Sequence, residues 1–376
     1  MNSRVEFSQN DFDRLRLIRS ANIGPVSYQH LLRRFGNAAD ALQGLPDLAA
    51  RGGGRAPKIA DQSAIGKELA AVRNLGANLL FLGDANYPGL LSELSDAPPV
   101  ITWRGNLEIL LRPVIAMVGA RNASAAACRF ARELAHSLTQ SGIAVVSGLA
   151  RGIDTAAHQG SIASGTIGVI AGGINVYYPP ENKTLQDDIA TRGLLMAEQP
   201  VGTEPRARHF PFRNRIIAGL ARGTVVVEAA PRSGSLITAR LANENGRHVM
   251  AVPGSPLDPR SKGCNNLIRE GATLVQSADD IIELIQHFDD RAETGNQKYD
   301  FLQPSGNNNE LKENGSTEVD NADRRSLIDL LGMTAVSVDE LVRQSGLPPA
   351  SVQLILLELE LAERLQRHAG AKVSLR

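Results

Sequence analysis

Val114-Ile115-Ala116-Met117-Val118-Gly119-Ala120-Arg121-Asn122-Ala123-Ser124 is the stretch on which the fold turns. Five apolar residues in a row close on a glycine turn, the pattern of a buried strand running into a helix start. The same unit recurs. Apolar runs at 143–146, 167–171, 194–197, 224–227, 248–252 and 272–275 follow, with helical segments between most of them as far as about residue 286. Strands that are apolar nearly throughout need cover on both faces, which alternating helices provide. This predicts an α/β fold with a Rossmann-like, doubly wound, mostly parallel sheet. Upstream, 77–82 and 100–103 read as two further strands across a turn-rich stretch around Pro88 and Pro98-Pro99, extending the domain to 73–287.

Residues 1–72 read as a small helical domain. Phe12, Leu15, Leu17 and Ile18, then Val26, Leu31, Leu32 and Phe35, fall at helical spacings on either side of the turn Asn22-Ile23-Gly24-Pro25. A helix–turn–helix of this kind can hold a DNA backbone, but more often it only packs. Arg51-Gly52-Gly53-Gly54-Arg55 is expected to be a flexible loop, without the following Lys-Ser or Lys-Thr of a phosphate-binding P-loop. Residues 288–322 are polar and poor in hydrophobes, the composition of a disordered linker. Helical periodicity returns over 323–376, and 364–375 resembles a two-stranded wing, so a C-terminal winged helix is expected.

Lys plus Arg and Asp plus Glu are 40 each among 376 residues, so any anion site must be local. The two cysteines, Cys128 and Cys264, have neither metal nor disulfide spacing, and a reducing cytoplasm fits them. No metal or cofactor is expected. The N-terminus carries acids and no apolar signal core, and no apolar run reaches the ~20 residues of a membrane helix. A soluble protein that does not engage a membrane is expected.

Sheets of this kind bind ligands beyond the carboxyl ends of their strands, and four glycine-bearing loops fall there, all expected on one side. The first holds Gly119 and Arg121. Arg121 stands where a G-x-G-x-x-G turn needs its second glycine, which disfavours a dinucleotide and favours a phosphate gripped by a guanidinium. The second holds Ser147, Gly148 and Arg151, with Asp154 placed to cap the next helix. The third, Gly172-Gly173, leads towards Tyr178 and Lys183, either of which could touch a ligand. The fourth offers Ser233, Gly234 and Ser235 at a helix start, where orphan N–H groups favour an anion.

A second signal lies in Phe210-Pro211-Phe212-Arg213-Asn214-Arg215, just after Arg206, Arg208 and His209. Rings and guanidinium groups alternating over one short run suit a single nucleic-acid strand, with stacking for bases and cations for phosphates. Residues 199–240 hold seven arginines and no lysine against two glutamates, a local excess of five positive charges. Arginine suits a site that must grip phosphates and base planes together. No catalytic set is expected: Glu228 and His158 could act as acid or base, but neither has an evident partner in sequence.

The stretches VGARNAS (118–124), SGLARGIDTAAHQG (147–160), GTIGVIAGG (165–173), YYPPENKTLQ (177–186), HFPFRNRIIAGLARGTVVVEAAPRSGSLITARLA (209–242), GRHVMAVPG (246–254) and GCNNLIREGA (263–272) resemble the DNA-processing protein A (DprA/Smf) family. The resemblance implies a homodimer, without known catalysis, that binds single-stranded DNA and loads RecA recombinase onto it in natural transformation and recombination. It also implies a sterile-alpha-motif-like N-terminal domain and, in some members, a C-terminal winged helix. Arg121 is then similar to the family's phosphate-gripping arginine and Phe210 to its stacking ring, with Arg213, Asn214 and Arg215 completing the pocket. Members often carry Ser at the position of Ala120 and Lys at that of Ala207, where Arg206 and Arg208 flank and would substitute. Leu267, Ile268 and Leu274 are candidates for the dimer interface, with core packing at least as good a reading.

Two alternatives stand beside this one. The 231–236 loop and Glu228 fall roughly where cytokinin-activating phosphoribohydrolases keep a glycine loop and an acid, although the P-G-G-x-G-T run of those enzymes is missing. A transcription regulator acting through the winged helix is the other. Its candidate recognition helix, 350–361, carries Glu358 and Glu360 and no Lys or Arg, so contact with protein or with the rest of the chain is expected instead.

Overall fold

The computed structural model describes residues 6–286, 319–368 and 370–376. They divide into two compact units, 68–286 on the one hand and 6–67 with 319–376 on the other.

Among the described residues, the first unit is built on a nine-stranded sheet. Its strands are β1 (Asn78–Phe81), β2 (Val100–Gly105), β3 (Val114–Gly119), β4 (Ala144–Ser147), β5 (Thr166–Gly173), β6 (Leu194–Gln199), β7 (Gly223–Val227), β8 (His248–Ala251) and β9 (Thr273–Leu274). They lie in the order β1-β2-β6-β5-β4-β3-β7-β8-β9. From β6 to β9 every pairing is parallel, while β1 and β2 form an antiparallel margin. All seven apolar runs became parallel strands, and β4, β5 and β7 are buried at every residue. The chain winds outward from β3 through β4, β5 and β6, then returns to the other flank of β3 for β7, β8 and β9.

One face is covered by the helix Ala125–Gln140, whose Leu134 and Leu138 pack with Ile115, Met117, Val145, Val225 and Met250. Each such side chain removed from water contributes roughly 1.5–3 kcal/mol. Ser124 starts this helix, its hydroxyl accepting the Ala127 N–H at 3.1 Å. Gly119 is there because nothing larger fits: a Cβ on it would lie 2.0 Å from the Val227 carbonyl oxygen and 2.6 Å from Ile153.

The second unit joins the two ends of the sequence. The helices Gln9–Arg19, Pro25–Phe35 and Ala38–Arg51 pack with Asn321–Asp329, Val338–Ser345 and Pro349–Leu361. A small antiparallel sheet completes the winged helix, with β10 (Val336–Ser337), β11 (Leu365–His368) and β12 (Lys372–Leu375) in the order β10-β12-β11. Tyr28, Leu31 and Leu45 share one core with Leu354, Ile355 and Leu357. The helix Pro349–Leu361 is therefore enclosed. Its Glu358 is 1% exposed and receives two hydrogen bonds from Arg324, at 2.8 and 3.0 Å.

Two expectations change here. The 51–55 segment is a packing surface: a Cβ on Gly52 would sit 2.1 Å from the Glu358 carbonyl oxygen, and one on Gly54 2.5 Å from that of Ala362. The glycines let two backbones approach that side chains would hold apart. The disordered linker expected over 288–322 falls mostly outside the described residues. Its last four residues belong to the winged-helix unit, where Val319 is buried and Asp320 caps the helix Asn321–Asp329.

Candidate nucleic-acid interface

The carboxyl ends of β3, β4 and β5 set three of the glycine-bearing segments side by side. Between them and the helix His209–Leu220 opens a pocket of about 230 Å³. Arg121, Gly148, Arg151, Tyr178, Phe210 and Arg213 line it, over an apolar floor of Ile170, Ala171 and Gly172. The Phe210 ring is the centre of the arrangement. The guanidinium carbon of Arg121 lies 5.5 Å from its centroid and that of Arg213 5.9 Å, both within cation–π range. Tyr178 meets the same ring at 5.6 Å with the planes tilted by 58°. Phe210 and Arg213 are three residues apart on one helix, which puts them on one side of it.

A buried polar layer supports these groups. Arg213 is 8% exposed and lies against the backbone of Gly148, where a Cβ would come within 1.6 Å of Nη1. Its Nε has no hydrogen-bond partner among the described residues. Asp154 was expected to cap the helix Ile153–Ser161. Its carboxylate instead turns back and accepts the N–H groups of Gly148 and Ala150 at 3.1 and 3.3 Å. Burial pushes the Asp154 carboxyl above its usual range, against the pull of the Arg213 charge; burial also draws the Arg213 guanidinium down. The loop itself is strained, with Leu149 at φ +55°, a conformation that L-residues rarely adopt. Asn182 holds it by donating to the Leu149 carbonyl at 2.8 Å and to Thr155 Oγ1 at 2.9 Å.

Not every candidate joins this pocket. Ser147 is fully buried and donates to the Met117 carbonyl at 2.6 Å, so it ties β4 to β3. Gly119 serves packing. Asn214 is buried, and so is Arg215, which pairs with Glu198 and, at 3.5 Å, with Asp96. Arg215 is thus spent inside the protein, because its position on the helix points it into the fold. Arg206 and Arg208 are exposed on the approach to Phe210, though neither lines the pocket. Lys183 lies outside it, 5.1 Å from the Tyr177 ring centroid. Arg151 reaches the rim in an ion pair with Glu181. Ser233, Gly234 and Ser235 also lie outside, and the two serine hydroxyls bond each other at 2.7 Å.

Gly172 belongs to the third glycine loop read from the sequence; the residues that sequence reasoning missed are Ile170 and Ala171 of the floor and Asn182, which carry no local signal of a site. The candidate acids are occupied or enclosed. Glu228 accepts the Ser124 N–H and hydroxyl, the latter at 2.7 Å, and pairs with Arg260 at 3.2 Å. It sits at the β3–β7 reversal, against the start of the helix Ala125–Gln140, where the phosphate of a dinucleotide would otherwise lie. His158 is fully buried, with Nδ1 2.7 Å from Thr166 Oγ1, and burial holds its pKa at about 3. Leu267 and Ile268 are half-buried, whereas Leu274 is exposed on the edge strand β9. Among the described residues no helix is long and apolar enough to cross a membrane, and no group of three or more His, Cys, Asp or Glu could hold a metal.

Fold and pocket together define an α/β protein whose pocket presents two guanidinium groups around one aromatic ring, in a chain that also carries a separate unit of helices and a winged helix. Comparison with known proteins makes this specific. The family model described as DNA recombination-mediator protein A matches residues 78–286, flanked by a DprA-like N-terminal HHH domain over 8–71 and a DprA winged helix domain over 312–371. The chain belongs to this family, DprA/Smf. The putative DNA processing protein DprA of Mycobacterium tuberculosis is 35% identical over 92% of this chain and 82% of its own. DNA processing protein DprA of Streptococcus pneumoniae is 48% identical over 53% of this chain and 71% of its own. The X-ray structure of the Streptococcus pneumoniae protein superposes with a TM-score of 0.61 at 35% identity, covering 74% of this chain and 98% of that one. DNA processing protein A of Helicobacter pylori, solved for its single-stranded DNA binding mode, gives 0.52 at 26% identity over 56% of this chain and 96% of that one.

Proposed function

We propose that this protein binds single-stranded DNA without regard to sequence, taking a base against Phe210 and the adjoining phosphates on Arg121 and Arg213. The observation that carries the reading is the pair of guanidinium carbons, 5.5 and 5.9 Å from the centroid of one ring in the pocket lining. A ring accepts any base face, so affinity arises without hydrogen-bond readout. An arginine held close to a ring needs no large reorganisation to meet a phosphate. Family membership supports two further parts of the proposal: two copies associate, and the bound strand is delivered to RecA recombinase. Their action belongs to DNA uptake and recombination.

Fluorescence anisotropy with labelled oligothymidylate tests the central part. Phe210→Ala should weaken binding by roughly 1–3 kcal/mol, the contribution of one stacked base. Arg121→Ala should weaken it as well and flatten the dependence of log K on log salt by about 0.7, the effect of one lost phosphate contact to a single strand. Unchanged affinity in both variants, with the fold intact by circular dichroism, would remove the pocket from consideration.

A further inference from the structure

The helix His209–Leu220 carries a second large ring that the pocket does not use. Phe212 is 49% exposed, although phenylalanine is among the residues most often buried, and it does not line the pocket. Two residues along a helix amount to about 200° of rotation, so Phe212 leaves the helix on the side away from Phe210. Four residues before Phe212 is Arg208, the exposed N-cap residue, whose backbone is already helical. Residues at i and i+4 share a helix face. Arg208 and Phe212 thus place a guanidinium and a ring on one helix face, away from the face that Phe210 presents to the pocket.

The surroundings fit an anionic ligand. Arg208 has only a long hydrogen bond, Nε to His209 Nε2 at 3.5 Å, and no acid is paired with it among the described residues. Arg206 is exposed beside it. Two carboxylates, Glu198 and, at 3.5 Å from Nε, Asp96, pair with Arg215, three residues beyond Phe212. A helix with its side chains is about 10–12 Å across. A strand leaving the pocket would therefore cross the first turn of the helix and carry a phosphate past Arg206 and Arg208 before its next free base reached Phe212.

We propose that Phe212 and Arg208 form a second stacking subsite for single-stranded nucleic acid, continuous with the Phe210 pocket and engaged only by strands long enough to cross the helix start. The proposal rests on the pocket's binding a strand, and the experiment separates the two. Full-length wild type, Phe212→Ala and Phe210→Ala are titrated with oligothymidylates of about 4 and about 15 nucleotides, spanning the usual range of site sizes. Phe212→Ala is expected to match wild type on the short strand and to lose about tenfold on the long one, the effect of one stacked base. Phe210→Ala is expected to lose on both. Equal affinity of Phe212→Ala and wild type at both lengths overturns the subsite and points the exposed ring to a protein partner instead. No effect from Phe210→Ala at either length overturns the pocket reading and the subsite with it. A direct probe is Phe212→Trp, with wild-type Trp103 emission as background: quenching by the long oligomer alone supports stacking at this ring, and unchanged emission at saturation overturns it.

Discussion

Two loops of the same sheet, one after β4 and one after β7, look alike in sequence and differ in what their polar groups face. Each joins a strand to a helix through glycine and serine, with arginine close by. After β4, Gly148 yields its side-chain space to the Arg213 guanidinium, and the Arg213 and Arg121 groups meet an open pocket beside Phe210. After β7, Glu228 turns inward, takes the Ser124 donors and pairs with Arg260, while Ser233 and Ser235 bond each other. Positive charge near a glycine loop therefore does not by itself make an anion site. The deciding quantity is whether a charged side chain still faces open space: Asp154 takes two N–H donors of the β4 loop, yet Arg121 and Arg213 line the pocket, and a satisfied donor gains little from a second acceptor.

Removing the Arg121 cation should show this contrast most strongly. Arg121→Ala is expected to weaken binding of single-stranded DNA by at least about tenfold and up to about a hundredfold, as losing a charge-assisted hydrogen bond does, measured by anisotropy at low salt. Gly148→Ala probes the same loop from beneath. Its Cβ would displace the Arg213 guanidinium, so affinity is expected to fall by about tenfold while the thermal midpoint moves less than for a core substitution. Full affinity in this variant would show that Arg213 need not lie against Gly148.

The buried layer gives a pH test. His158 is held at about 3 in the fold, below its ordinary 6.5, so the unfolded chain binds the extra proton between those values. Stability from this group is complete above about pH 6.5 and is lost as pH falls towards 3, by up to about 1.4 kcal/mol per pH unit. Urea midpoints of wild type and His158→Gln across pH 7 to about 4.5 should converge as pH falls; parallel lines would mean that the imidazole finds a partner when charged. The smallest effect belongs to the quiet loop. Ser233→Ala is expected to change strand affinity by less than about 0.5 kcal/mol, and a loss comparable to that of Arg121→Ala would place the 233–235 loop in the binding site after all.

Apolar runs such as 143–146 and 224–227 announced their strands because a strand covered on both faces leaves no polar position to confuse the pattern. Arg121 and Phe210 were legible for a similar reason: each breaks a local rule, the arginine by replacing a turn glycine and the ring by standing among cations. Arg215 was misplaced because its neighbours in sequence, Arg213 and Asn214, belong to the same cluster. Only helix rotation turns it towards Glu198 and Asp96. Gly52 and Gly54 read as a flexible loop because nothing nearby in sequence reveals the helix, some three hundred residues later, that lies against them.

Secondary structure, the parallel sheet and the positions of the glycine turns were thus determined by the sequence alone, since periodicity and turn chemistry act over a few residues. Which arginines remain open to a ligand, which acids fill a would-be phosphate site, and which half of the molecule encloses the helix Pro349–Leu361 were decided only by the tertiary structure. Those outcomes depend on pairings between groups far apart along the chain, and electrostatic and packing energies follow distance in space.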